Sequence, residues 1–420
     1  LLNIAEEPWA VRLGAVICGA GITVLLGVIG WQLRGPATGV AAAAIYAIVG
    51  VGPRFNGFTF NGELAAALPA TAAIAAALAW RSSLRLRWLV VAGLAAGSAV
   101  LMKQSGFDGL VVAVVIVMLA TKSWTTRRRP FAVLVGSTAV PAAASVIHGW
   151  IVGWNNYWFA VAGYRFHSSS GRLDPVGLVE RAGRFFTTVD DALRDLGPLV
   201  LFALAALVLG RLRGEPIAIA AAWIGTAMVG FNLGALYWRH YYVQLVPPLT
   251  LLAALAVTML ARRVDRAVAV TFAILPVSLG LIELALTAPE RREHLIAHQR
   301  QFEDHELLAT QLRQRSDPDD TVYVLVSEPD LYFLVDRPSR YPYIWGHPVE
   351  EIPGALQRLR ALLSSPDRPE WLVVYTPPHE VDSSGRLETI IGRHYQRDRG
   401  IESRQARLFR ERDDAAQPPG

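Results

Sequence analysis

Ten apolar runs, each close to the length that crosses a bilayer as a helix, occupy most of the first 287 residues. They fall at about 11–33, 36–53, 63–80, 88–103, 106–121, 130–152, 197–210, 216–236, 243–261 and 267–287. A hydrocarbon core takes about 20 residues of helix. Within it the backbone must satisfy its own hydrogen bonds, which leaves helices or closed barrels. Segments such as Val111–Ala120 are apolar on every face, whereas a soluble bundle needs one polar face per helix. The pattern predicts a polytopic α-helical membrane protein with about ten visible transmembrane helices. The whole chain is 53% hydrophobic and 18% charged, too apolar for an average soluble domain.

Charge divides the chain in two. Residues 288–420 carry 18 Arg and 23 acids, whereas residues 1–287 carry 22 Lys and Arg and 12 acids. The expected domains are therefore a transmembrane helical domain over 1–287, a small domain over 288–410, and a disordered tail over 411–420. The basic balance does not imply nucleic acid, because the cations cluster between apolar runs and form no basic-aromatic stripe. The one cysteine, Cys18, lies within an apolar run, which leaves no disulfide framework. The chain begins with Leu1 and shows no signal peptide, so it reads as a fragment lacking its native N-terminus.

Sidedness follows from the junctions. Those holding Arg34, then Arg81/Arg85/Arg87, Lys122/Arg127/Arg128/Arg129, Arg211/Arg213 and Arg262/Arg263/Arg266 contain 13 Lys and Arg; the alternate junctions, 54–62, 104–105, 153–196 and 237–242, contain 7 in 61 residues. All the rich junctions fall on one side if the helices alternate, and that side is cytoplasmic by the positive-inside rule. The alternate junctions and everything after residue 288 are then extracytoplasmic, on the outer face of the cytoplasmic (inner) membrane.

The outer junctions are unusual in content. Arg54 and Glu63 flank one helix mouth, where Glu63 is either part of a site or a carboxylate favoured by the helix N-terminus. Lys103 ends an apolar, Gly-rich run and is one of two lysines; it either snorkels as an anchor or meets a lipid phosphate. The 153–196 junction carries Trp154, Tyr157 and Trp158, a belt of interfacial aromatics, followed by Arg165, His167 and Asp174. The stretch Tyr237-Trp238-Arg239-His240-Tyr241-Tyr242 precedes Gln244-Leu245-Val246-Pro247-Pro248 and reads as an anchor or as the lip of a site. Polar residues thus gather at one membrane boundary rather than along helix interiors, which suits a ligand with a polar head and a lipid tail.

After residue 288 the pattern is that of an α/β domain. Residues 289–315 read as helix, Thr321–Val326 and Trp371–Tyr375 as buried strands, and about 350–364 and 384–394 as helices. No phosphate-cradling loop, zinc spacing or serine elbow is present. His294 and His298 stand at i, i+4, a spacing shared by metal ligands and by an ordinary solvated helix face. No cofactor pattern is visible, and no metal ligand is assigned.

Three pieces carry a family resemblance: Asn61-Gly62-Glu63 with Gly93, Gly97 and Met102-Lys103-Gln104; Arg239 through Pro248; and Asp320-Thr321-Val322-Tyr323-Val324 with Pro329-Asp330-Leu331-Tyr332 running on to Arg340-Tyr341. The chain resembles the bacterial lipid-linked-sugar glycosyltransferases of the GT-C superfamily, the family-39 and aminoarabinose-transferase-like group. The resemblance implies transfer of a sugar from a polyprenyl-phosphate carrier to an acceptor of unspecified class, with inversion at the anomeric carbon. Its partners are then membrane lipid and the lipid-linked donor. An acidic group serves as base and cations stabilise the phosphate leaving group. Lys103, Arg239, His240 and Arg54 are the expected phosphate-binding residues, with Tyr241 and Gln104 as substrate contacts. The family's first helix and its acidic first outer loop are expected upstream of residue 1, so no visible residue is assigned as the catalytic base and Glu63 is a secondary candidate. The resemblance is compatible with a divalent metal. Two other readings remain: a transporter or flippase of lipid-linked saccharides, which would call for midplane polar residues and repeats, and a non-catalytic membrane assembly subunit.

Overall fold

The structure is a computed structural model. It describes residues 8–163, 175–209, 214–233, 237–262, 274–275, 278–279, 281–289, 299–325, 328–401, 403 and 405–412. Arg165, His167, Asp174, Arg211, Arg213, Arg263, Arg266, His294, His298 and residues 413–420 of the expected tail lie outside that set. Two compact units result: one of residues 1–154 with 175–296, the other of residues 155–174 with 297–420. Residues 155–163 therefore group with the second unit, although the sequence reading leaves them in the membrane domain.

The described residues of each of the first nine apolar runs fall largely within a helix of the first unit, the seventh run forming only the end of a longer one: α1 (Pro8–Arg34), α2 (Pro36–Val49), α3 (Gly62–Ser83), α4 (Arg87–Met102), α5 (Asp108–Ala120), α6 (Trp124–Val152), α7 (Pro175–Leu209), α8 (Glu215–Leu233) and α9 (Val246–Leu260). Among the described residues, 5 helices are long and apolar enough to cross a membrane: α1, α3, α6, α8, and α9 with the turn before it. Helices α2, α4 and α5 are apolar but shorter.

The largest departure from the sequence reading is α7. Residues 197–210 are expected as a separate run after a long surface junction, but residues 197–209 form the end of a 35-residue helix. Its buried stripe runs along the second half. Ala192, Asp195, Leu196, Leu199, Ala203 and Ala206 are buried at spacings of three and four, the stripe of an amphipathic helix. Averaged hydropathy dilutes such a stripe, whereas its period preserves it.

Helix α9 is buried continuously from Val246 to Val257, so the rest of the first unit surrounds it. Pro247 and Pro248 fall in its first turn, where the backbone N–H groups have no intrahelical partner and proline forfeits nothing. Small residues let α4 approach α6 closely. A Cβ on Gly93 would lie 2.4 Å from the Leu134 carbonyl oxygen, and one on Gly97 2.4 Å from that of Thr138. The spacing of four puts both glycines on one face, the small-xxx-small arrangement of membrane helices. Asp108, buried at the start of α5, accepts a 2.8 Å hydrogen bond from Trp223 Nε1 on α8, which satisfies a carboxyl group held among apolar helices.

The second unit is a sheet of order β1-β2-β4-β3 with helices on both faces. Strands β1 (Val322–Leu325) and β2 (Trp371–Val374) pair in parallel, and β4 (Arg407–Glu411) runs antiparallel between β2 and β3 (Tyr395–Asp398). Val322, Val324, Trp371 and Val373 pack on one side with Leu308 and Leu312 of α10 (Gln299–Arg315). Tyr323, Leu325, Leu372 and Val374 pack on the other with Leu359 and Leu363 of α13 (Ala355–Ser364) and with Leu387 and Ile391 of α14 (Arg386–His394). Burial on both faces explains why β1 and β2 read as unbroken apolar runs. The short helices α11 (Asp330–Val335) and α12 (Gly346–Glu351) connect β1 to α13. The antiparallel pair β3–β4 is not expected from the sequence, being half polar, and Glu411 belongs to β4 rather than to a disordered tail.

Candidate functional site

Each ion pair described in the first unit joins junctions expected on the same side. Arg81 at the end of α3 meets Glu215 at the start of α8, and both belong to the basic junctions. The others join residues of the alternate junctions to one another or to Glu63, Lys103 and Glu283 in the adjoining apolar runs. That end of the helices holds the candidate site.

Glu63 is its centre. Asn61 caps α3, its Oδ1 accepting the Leu64 N–H at 2.9 Å, and this fixes Glu63 in the first helical turn. Glu63 is 4% exposed and forms an ion pair with Lys103 Nζ. Lys103 follows the last residue of α4 in extended backbone, so its side chain leaves the helix axis toward α3. Its ammonium lies 3.9 Å from the centroid of the Tyr241 ring, a cation–π contact. His240 Nε2 stands 3.8 Å from Glu63 Oε1, and the His240 and Tyr241 rings meet edge to face at 5.1 Å. Four of the expected site residues (Glu63, Lys103, His240 and Tyr241) thus share one constellation.

Arg239, His240 and Tyr241 open a 3-10 turn over Arg239–Leu245, whose second half is buried. Gln244 anchors it: its Nε2 donates to the Ser105 carbonyl oxygen at 2.7 Å, tying the turn to the loop that carries Lys103. Gly230 leaves room, since a Cβ there would lie 2.6 Å from Gln244 Nε2. Gln244 belongs to the quoted motif but is not among the expected site residues; its one sequence signal is an amide flanked by apolar residues.

The other two expected cations have separate carboxylate partners. Arg239 Nη2 donates to Asp191 Oδ2 at 2.6 Å. Arg54 Nη1 donates to Asp195 Oδ1 at 2.6 Å, its backbone N–H to Asp195 Oδ2 at 3.2 Å, and its Nη2 to Glu283 Oε2 at 2.5 Å. Asp191 and Asp195 sit one turn apart on α7. They escape the sequence reading because the first half of α7 does not register there as helix, although their i, i+4 spacing follows the same period as its apolar stripe. The turn holding Arg54 (Pro53–Phe55) packs against the Arg239–Leu245 turn. Gln104 is exposed in the turn after α4.

These helices and this end define a class: a polytopic helical membrane protein with a cluster of paired acidic and basic side chains at one end of its helices. Its fold is similar to that of the solved protein ArnT. ArnT from Cupriavidus metallidurans bound to undecaprenyl phosphate superposes at a TM-score of 0.64 with 16% identity, over 98% of this chain and 86% of that one. The same protein in the apo state superposes at 0.64 with 14% identity, over 98% and 85%. Residues 2–150 match the family model described as dolichyl-phosphate-mannose-protein mannosyltransferase. No curated protein matches the sequence.

Proposed function

We propose that this chain is a glycosyltransferase that takes a sugar from a polyprenyl-phosphate carrier and passes it to an acceptor at the outer face of the cytoplasmic membrane. The observation that carries this reading is the meeting of Lys103, His240 and Tyr241 around buried Glu63 at the end expected to face outward. The ArnT crystal structure with undecaprenyl phosphate and the family match over residues 2–150 support the same chemistry.

In the proposed reaction an acceptor hydroxyl attacks the anomeric carbon and gives its proton to a carboxylate base, for which Glu63 is the secondary candidate; the bond to the carrier phosphate oxygen breaks, and that oxygen keeps the electron pair. Lys103 neutralises the charge that develops there, held in place by the Tyr241 ring and by Glu63. Carrier phosphate exchanges with the Glu63 carboxylate as partner of the ammonium. Arg239 and Arg54 supply the outer part of the same wall, each now paired to α7, with Tyr241 and Gln104 next to the sugar-phosphate. Residues 288–410 form an extracytoplasmic domain in this reading.

The test is incubation of the purified chain with a labelled polyprenyl-phospho-sugar and a panel of lipid, glycan and protein acceptors. Release of polyprenyl phosphate coupled to labelled acceptor is expected. A folded chain that binds the carrier without releasing it would support the flippase or assembly reading instead.

A further inference from the structure

The second unit contains a side-chain cluster that the proposed reaction does not use. His305 on α10, Glu328 ahead of α11 and Asp330 at the first residue of α11 place one ring nitrogen and two carboxylate oxygens within 4.8 Å of one another. His305 Nδ1 and Asp330 Oδ2 are 2.7 Å apart. The histidine side chain is 2% exposed and that of Asp330 33%, so the cluster has a buried base and an open side.

Two polar atoms there lack partners. His305 Nε2 and the Tyr375 hydroxyl are buried without a hydrogen bond, and the two rings meet edge to face at 5.4 Å. Such an atom costs about 1–3 kcal/mol when it is left unsatisfied. The surroundings are also strongly negative. Asp304, Glu328 and Asp330 are the carboxylates near the His305 ring.

We infer that His305, Glu328 and Asp330 form a divalent-cation site in the second unit, distinct from the Glu63 constellation. One imidazole and two carboxylates suit Zn²⁺ with an open fourth position, whose bonds of about 2.0–2.2 Å set ligand atoms about 3.3 Å apart. Closing from 4.8 Å calls on Glu328 and Asp330, which are only partly buried, while His305 stays fixed. The inference stands apart from the proposed reaction, because its readout is metal content.

The full chain, purified in detergent and stripped with chelator, is dialysed against Zn²⁺ and its metal content measured, with affinity from competition titration. One tightly held zinc per chain is expected, together with a rise in Tm. Glu328→Gln and Asp330→Asn are each expected to weaken binding by at least about tenfold while leaving the metal-free Tm near that of the unaltered chain. X-ray absorption of the zinc-loaded chain is expected to show nitrogen and oxygen ligands with one imidazole. Failure of the unaltered chain to take up zinc would overturn the site. So would unchanged affinity in both variants, or a shell containing sulfur or several imidazoles.

Discussion

Lys103 and Glu63 depend on each other as charges taken out of water. Removing one partner of a buried pair costs about 3–5 kcal/mol, because the other is left uncompensated. Lys103→Gln and Glu63→Gln are each expected to lower Tm, and the double variant to recover most of the loss, as a double-mutant cycle on Tm will show. Carrier turnover should fall by about 10²-fold or more in Lys103→Gln, as for a lost charge-stabilising donor, and stay low in the double variant. If turnover recovers together with Tm, Lys103 is structural and not a phosphate ligand. A second residue gives a pH prediction. Asp382 is buried and accepts from Arg360 Nη2 at 2.5 Å, from Ser384 Oγ at 2.6 Å and from the Leu387 N–H at 2.8 Å. Burial alone would raise its pKa, but these hydrogen bonds together hold it below the ordinary carboxylate value. A lowered native pKa stabilises the fold above the unfolded pKa, and that stability is lost as pH falls through the native one. The second unit should therefore lose stability below about pH 4, and Asp382→Asn should flatten that slope in acid denaturation followed by circular dichroism. At this scale much of the site was legible, since Glu63, Lys103 and His240 each interrupt or border apolar sequence. Gln244, Asp191 and Asp195 were hidden because their importance lies in partners more than 45 residues away, which local composition does not register.

Among the elements, α4 and α6 depend on backbone proximity. Gly97→Leu would push a side chain into the Thr138 carbonyl, and an over-packed contact of this kind costs about 1–3 kcal/mol; a drop in Tm and in detergent-extracted monomer yield is expected. Gln244→Ala frees the Arg239–Leu245 turn from the Lys103 loop. It is expected to lower turnover with little change in Tm, measured on the same preparation. The hydrophobic helices were legible because a bilayer imposes length and all-round apolarity together. Strands β1 and β2 were legible for a related reason, being buried on both faces. Helix α7 and the β3–β4 pair were not, because their apolar residues alternate with charges and only tertiary packing decides which face is inside.

Across the whole molecule, the two expected sides can be tested chemically. Cys18 is buried, which keeps background labelling low. In intact cells a membrane-impermeant maleimide is expected to label Phe60→Cys and to spare Arg128→Cys, with the reverse in inverted vesicles. Labelling of both from one side would refute the alternation of helices. The expected separation of basic junctions from the site junctions rests on charge alone, and this labelling is its test.

Helix α7 carries Asp191 and Asp195 one turn apart, and each grips an arginine from a different loop. Both arginines therefore depend on one helix, although Arg54 keeps a second bond to Glu283. The two loops are fastened to the same element one turn apart and are coupled through it.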